Sequence, residues 1–483
     1  MAPDDLPALV TRLMTEGGDA RLRLNPATGL NRYHSAPRPS EVLAYASSTA
    51  NDISAAAYAH VQRVLAEIGA EPSPDLYAER LEALRGRIRR AYAVPEDVSV
   101  VFAPSGTDLE YVALACIGEE AGVHNVLLGA DEVGSGCIHS AHGRYFAEET
   151  ALGHATRPGD PVPGLGGARV DMIDVPVRDA DGYGRHSFDI AAAIDATLVA
   201  KGARRALVHV VHGSKTGLIL PRLGELDALQ AKHGGALTFV VDACQARITV
   251  AAIDDYLARG AIVFVTGSKF MGGPPFSGFA LVPAALAARA PALPDGLATI
   301  FRRAEWPESW PGREALPDTA NPGLLLRLEA SIFELERFQA LDPAAVERVV
   351  LAFHAAVRRE IVEALGVRRV APYPKGEREE ADTHPIEMRT LSTLDLSTLG
   401  GGQATFEDAQ GWHKALLAHH VRLGQPVKCV KLPDGRWGAT LRVGLAMWQV
   451  VERAALSDDA LEEAFAAEMR RVAAALADVA RRS

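Results

Sequence analysis

From about Asp75 to Pro283 the chain alternates short apolar runs with longer stretches whose apolar residues recur at helical spacing. The runs VSVVFAPSG, HNVLLGAD, RALVHVVHGS, ALTFVVDACQ and AIVFVTGSK are rich in Val, and each ends in small or polar residues. Nearly unbroken apolar strands need cover on both faces, as in a parallel sheet held between helices. The pattern predicts an α/β fold: a three-layer αβα large domain with a mainly parallel sheet. Ligands of such sheets bind beyond the carboxyl ends of the strands. The polar clusters of these runs sit at those ends.

Beyond this region the character changes. Arg302 to Gly323 is rich in Pro, Trp and charge and reads as a long loop, and LLLRLEASIFELERFQAL then carries helical periodicity. From about Asp342 the chain reads as helix, a polar stretch, and WGATLRVGLAMW as a strand. It closes on a long amphipathic helix with acids early and arginines late, an order that suits the helix dipole. The expected organisation is a segment 1–75 that wraps back onto the active site, a large domain 76–325, and a small α+β C-terminal domain 326–483.

Composition narrows the function. Among 483 residues, 50 Lys and Arg stand against 61 Asp and Glu, a formal charge of −11 without a basic tract. That balance argues against nucleic acid or an anionic membrane as partner. No run of about 18 apolar residues predicts a membrane span, and the acidic, turn-rich start lacks the apolar core of a secretory signal. The four cysteines are scattered without CxxC spacing, which favours neither a metal site nor a disulfide framework. The expectation is a cytoplasmic protein that binds a small molecule.

Three clusters carry candidate chemistry. A strand runs into Ser105-Gly106-Thr107 before a helix opening at about Asp108; the exposed N–H groups and hydroxyls suit a phosphate, or simply cap the helix. Asp242 ends the strand of VVDACQ, with Gln245 three residues on, where a buried carboxylate needs a partner. Lys269 follows Thr266 and Ser268 at the end of AIVFVTGSK, one helix and one strand later, so Asp242 and Lys269 would face one crevice. A lysine that forms a Schiff base and a carboxylate for a pyridinium nitrogen fit pyridoxal 5′-phosphate (PLP).

Together these residues resemble fold-type I PLP enzymes, in particular the class V aminotransferase and cysteine desulfurase branch. The resemblance runs from about Val98 to Ala474. It implies Lys269 as the Schiff-base residue, Asp242 as the partner of the ring nitrogen and Gln245 as that of the phenolic oxygen. Ser105, Gly106, Thr107, Thr266 and Ser268 would hold the phosphate. PDTANPG is similar to a family stretch that lends a threonine to the neighbouring subunit, which implies Thr319 across a homodimer interface with a shared active site. LRVGLAMWQ is close to the desulfurase pattern whose arginine binds the substrate α-carboxylate, here Arg442. Lys215, in HGSKTGLILP, is a rival for the Schiff base, and Ser214 beside it is a possible ring-side or substrate contact.

Several positions depart from the family. Where an aromatic or histidine commonly stacks on the ring, Glu132 to Gly136 offer none, and His139 and His142 lie farther on; either a small residue such as Gly134 or Ser135 faces the cofactor, or the loop brings a histidine back. Cys429 is placed either as a desulfurase-type nucleophile on a shifted loop or as a packing residue, and Cys244 reads as packing. Arg32, Tyr33, Ser47, Ser48 and Asn51, with Arg302, Arg303, Trp306 and Trp310, are polar or aromatic enough to line a pocket, with structural packing as the alternative for each. The resemblance implies an enzyme acting on an amino acid, first an aminotransferase. The alternatives are a lyase that cleaves a C–S or C–C bond, and a catalytically idle protein that keeps the fold for binding or regulation.

Overall fold

The computed structural model describes residues 6–46, 51–118, 122–165, 169–202, 204–377 and 384–482. A short strand β1 (Leu43–Tyr45) precedes the large sheet and pairs in parallel with β12 (Val421–Leu423) near the other end of the chain. The large sheet contains β2 (Ser99–Ala103), β3 (Val123–Leu128), β4 (Val170–Val175), β5 (Arg205–His212), β7 (Leu237–Asp242), β8 (Ile262–Thr266) and β9 (Gly278–Val282). Their order is β2-β9-β8-β7-β5-β3-β4, and β6 (Ile219–Leu220) adds antiparallel to the end of β5. The β8, β7, β5, β3 and β4 ladders are parallel.

β9 runs opposite to both its neighbours, and its first residue, Gly278, pairs with Ala103 on one side and Thr266 on the other. Both faces of the sheet are covered, which is why β3, β8 and β9 are buried along their whole length.

The helices form for local reasons that the sequence carries. The Pro74–Tyr92 helix starts with Ser73 accepting from the Leu76 N–H and Pro at its first turn, then ends on Arg89, Arg90 and a left-handed Ala93. The Asp458–Arg482 helix has Asp458 and Asp459 first and Arg481 and Arg482 last. It buries Leu461, Phe465, Met469, Val472, Leu476 and Val479, one apolar stripe at helical spacing. No helix among the described residues is long and apolar enough to cross a membrane.

The C-terminal part carries an antiparallel sheet of β10 (Arg368–Val370), β11 (Leu391–Asp395) and β13 (Thr440–Gly444). The expected strand over WGATLRVGLAMW is shorter in the structure: after Gly444 the chain turns into the Met447–Arg453 helix. Gln449 accepts from the Ala446 N–H at that turn, so a local cap wins over the apolar pattern. The boundary expected between 325 and 326 falls inside the Pro322–Gln339 helix.

That helix also holds the N-terminal segment. Arg327, fully buried, donates to the carbonyls of Met14, Glu16 and Gly17 at 2.7–3.0 Å and to that of Phe276 at 2.7 Å. One guanidinium thus ties the start of the described chain to the loop that follows Lys269. The Trp-rich stretch is a long connection with two short 3-10 turns, Arg303–Glu305 and Arg313–Ala315. Trp306 and Trp310 are buried, their rings meeting edge to face at 5.0 Å, in the core below β2 and β9.

Candidate functional site

The carboxyl ends of the strands open into a cavity of about 360 Å³. The three clusters of candidate chemistry all reach it. Ser105, Gly106 and Thr107 come from the turn after β2, Asp242 and Gln245 from the end of β7 and the loop beyond, and Thr266, Ser268 and Lys269 from the end of β8. Ser214 and Lys215 follow β5, and Arg442 comes from β13 in the other sheet. Thr319 is exposed on its loop and does not line this cavity.

The turn after β2 is built by close approach. A Cβ on Gly106 would stand 2.7 Å from Thr266 Cγ2 and 3.3 Å from Cys244 Sγ, so only glycine lets the three loops meet without displacement. Ser105 donates its hydroxyl to Asp108 Oδ2 at 2.6 Å and accepts from the Asp108 N–H at 3.3 Å, where the nine-residue helix Leu109–Ile117 begins. Burial pushes the Asp108 carboxyl up to about 7, against the pull of Ser105 and Arg21. The hydroxyls of Thr107 and Ser268 have no protein partner among the described residues and face the cavity. Thr266 donates its proton to the Cys244 carbonyl at 2.6 Å and so braces one loop against the other.

Asp242 and Lys269 share the cavity without pairing: no ion pair to either occurs among the described residues. Asp242 accepts from the Cys244 N–H at 3.0 Å. Behind it, Glu110 lies 3.4 Å from His209 in the interior. Burial, and then Asp242, push the Glu110 carboxyl well up, and burial lowers His209 to about 3, so both stay neutral. The Lys269 carbonyl accepts from the Asn51 side-chain amide, and Gly272, at φ 82°, turns the backbone away from the cavity. Ser47 and Ser48 lie outside the described residues.

Lys215 sits on another wall, its ammonium 2.9 Å from the Asp131 carbonyl. Arg442, 3% exposed, donates Nε to the Gln425 carbonyl at 2.9 Å and Nη1 to the Lys215 carbonyl at 3.4 Å. Burial lowers both groups, Arg442 to about 10. Ser214 donates to Glu132 at 2.8 Å. Burial opposes ionisation of Glu132, yet Arg178 at 2.6 Å, Ser214 and Thr216 hold its carboxyl below the usual range. Gln245 accepts from Arg247 at 2.9 Å.

The wall where an aromatic residue was sought is made of Val133, Gly134, Ser135 and Cys137. His139 lines an adjoining outer hollow instead. Cys429 is buried, does not line the cavity, and has its thiol pushed up to about 12 by burial. Tyr33, one of the residues the sequence offers as pocket-lining, also lines the cavity, as do Arg21 and Phe276, which carry no motif that sequence reading could use. Arg21 is held by Asp19 at 2.6–2.9 Å, with its guanidinium over the Phe276 ring at 4.6 Å.

No family model matches the chain, and no curated protein matches it in sequence. Solved structures do match over most of its length. Ureidoglycine-glyoxylate aminotransferase from Bacillus subtilis is similar with a TM-score of 0.56 at 12% identity, over 92% of this chain and 94% of that one. A cysteine desulfurase from Thermococcus onnurineus is similar with a TM-score of 0.54 at 18% identity, over 88% of this chain and 94% of that one. A C-DES mutant with glycine covalently linked to its PLP cofactor also scores 0.54, at 15% identity, over 86% and 93%. These likenesses establish the architecture, an α/β fold of the fold-type I kind with a mainly parallel sheet.

Proposed function

We propose that this chain is a PLP-dependent enzyme that acts on an amino acid, with Lys269 as the residue that holds the cofactor covalently. The observation that carries the reading is the gathering of Lys269, Asp242, Ser105–Thr107 and Arg442 in one cavity from separate strand ends. The donor set fits the cofactor. Cavity-facing hydroxyls and a helix N-terminus suit a phosphate, the Asp242 side chain suits a pyridinium nitrogen, and a buried guanidinium suits a carboxylate.

When bound, PLP supplies an electron sink for the substrate's α-carbon. Asp242, kept near the ring nitrogen, holds the proton there. Arg442 orients the amino acid through its α-carboxylate. Lys269, without a competing partner, is the amine in position to remove and return the proton at that carbon. The rival Lys215 already hydrogen-bonds Asp131, which favours Lys269 as the anchor.

Transamination needs only these parts and ranks first. A lyase remains the second reading, on the fold's likeness to a cysteine desulfurase; the burial of Cys429 argues against that residue as its nucleophile. Two copies would share the site, Thr319 of each serving the other, and the test of that is the mass of the protein in solution with Thr319→Ala beside it.

The protein purified with PLP should be yellow. Borohydride reduction should fix the label on Lys269, and Lys269→Ala should lose the visible band. A colourless protein after PLP addition would end the reading, and label on Lys215 would reassign it. A panel of amino acids with and without a keto-acid acceptor then separates amino transfer from release of sulfide or alanine.

A further inference from the structure

We infer that the amino-acid substrate carries a second carboxylate on its side chain, and that Lys215 binds it. The inference rests on the proposed function and names its substrate class. It starts from an imbalance of charge. Lys215 and Arg442 both line the cavity, and neither forms an ion pair among the described residues. Their hydrogen bonds go to neutral carbonyls: Asp131 for the Lys215 ammonium, Gln425 and Lys215 for the Arg442 guanidinium. The acid beside them, Glu132, is fully engaged by Arg178 at 2.6 Å, Ser214 at 2.8 Å and Thr216 at 2.9 Å. A buried guanidinium and a half-buried ammonium with no paired carboxylate are costly until an anion arrives.

One carboxylate does not answer both. A guanidinium fork takes a carboxylate in bidentate fashion, which accounts for Arg442. The backbone carbonyl of Lys215 accepts from Arg442, while its ammonium donates to a different group, the Asp131 carbonyl after β3. The cations therefore mark two poles. A substrate with an apolar side chain would leave the second pole facing uncharged atoms. Discrimination on the order of 10- to 100-fold is then expected, the usual worth of one charge-assisted hydrogen bond.

The test uses holoprotein, with the visible band as proof of loading, and unreactive acids as probes. Succinate should bind at least about tenfold more tightly than butyrate by calorimetric titration. Lys215→Gln should weaken succinate far more than butyrate and erase the preference, and Lys215→Arg should restore part of it. Equal binding of the two acids to the wild-type holoprotein would overturn the inference even if every variant misfolds. Equal weakening of both by Lys215→Gln would also overturn it, because one shared carboxylate or a structural role would then explain Lys215. A yellow protein without diacid preference sinks this inference alone; a colourless one sinks the proposed function and this with it.

Discussion

Arg422 on β12 and Asp52 near the start of the chain form an ion pair at 2.6 Å, with side chains 1% and 6% exposed. The residue before Asp52, Asn51, donates to the carbonyl of Lys269. The pair therefore lies one residue from the backbone that carries the lysine. Removing one partner strands a buried charge, so Arg422→Ala should cost about 3–5 kcal/mol, read from the denaturant midpoint. Arg422→Leu with Asp52→Leu should cost less than Arg422→Ala, because no charge is left alone. An Arg422→Ala loss no larger than that of the double variant would contradict this account.

Gly106→Ala places a methyl group 2.7 Å from Thr266 Cγ2. Overpacking of that kind costs about 1–3 kcal/mol. The loops after β2 and β8 should separate, so affinity for PLP should fall while Lys269 still takes the label. Unchanged affinity would mean that the turn does not hold the cofactor.

Asp242→Asn keeps the shape of the side chain and the contact with Cys244 but removes the carboxyl group. Turnover should drop by about 10²-fold or more with the visible band retained. Steady-state kinetics on the loaded protein measure this, and a change below about threefold would move the ring partner elsewhere.

Asp108 gives a pH signature. Its carboxyl titrates at about 7 in the folded chain because burial disfavours the charge. In the unfolded chain it titrates at about 3.9. Between those values the folded state keeps a proton that the unfolded state has released, so stability falls as pH rises through this window. A phosphate at the same turn prefers the neutral carboxyl, so PLP affinity should also fall as pH passes 7. Asp108→Asn should flatten that part of the profile, a difference of about tenfold between pH 6 and 8, or ~1.4 kcal/mol. Parallel profiles for wild type and variant would remove Asp108 from the phosphate's surroundings.

The strand ends were legible because parallel strands bring all their carboxyl ends to one edge. A polar residue that closes an apolar run there, such as Asp242, is placed by the fold as soon as the run is recognised. Tyr33 was legible as a candidate pocket residue, whereas Arg21 and Phe276 were not. Phe276 is held through its carbonyl by Arg327 and Arg21 by Asp19, and nothing in their local pattern encodes a place on the wall. Trp306 and Trp310 fall on the packing side of their two readings: a polar, Pro-rich loop hides two rings in the core. On the ring-side wall the small residues Gly134 and Ser135 could be read as facing the cavity, but Cys137 could not: it enters from a four-residue helical turn that has no periodic signal.

Gly278 pairs at once with Ala103, two residues before Ser105, and with Thr266, three residues before Lys269. The reversed strand therefore works like the beam of a caliper, and the two loops are its jaws. Their spacing is set by hydrogen-bond register, which changes only in whole residues. A ligand that bridges them meets a span already fixed by the sheet, and selectivity for its length follows without any closing motion.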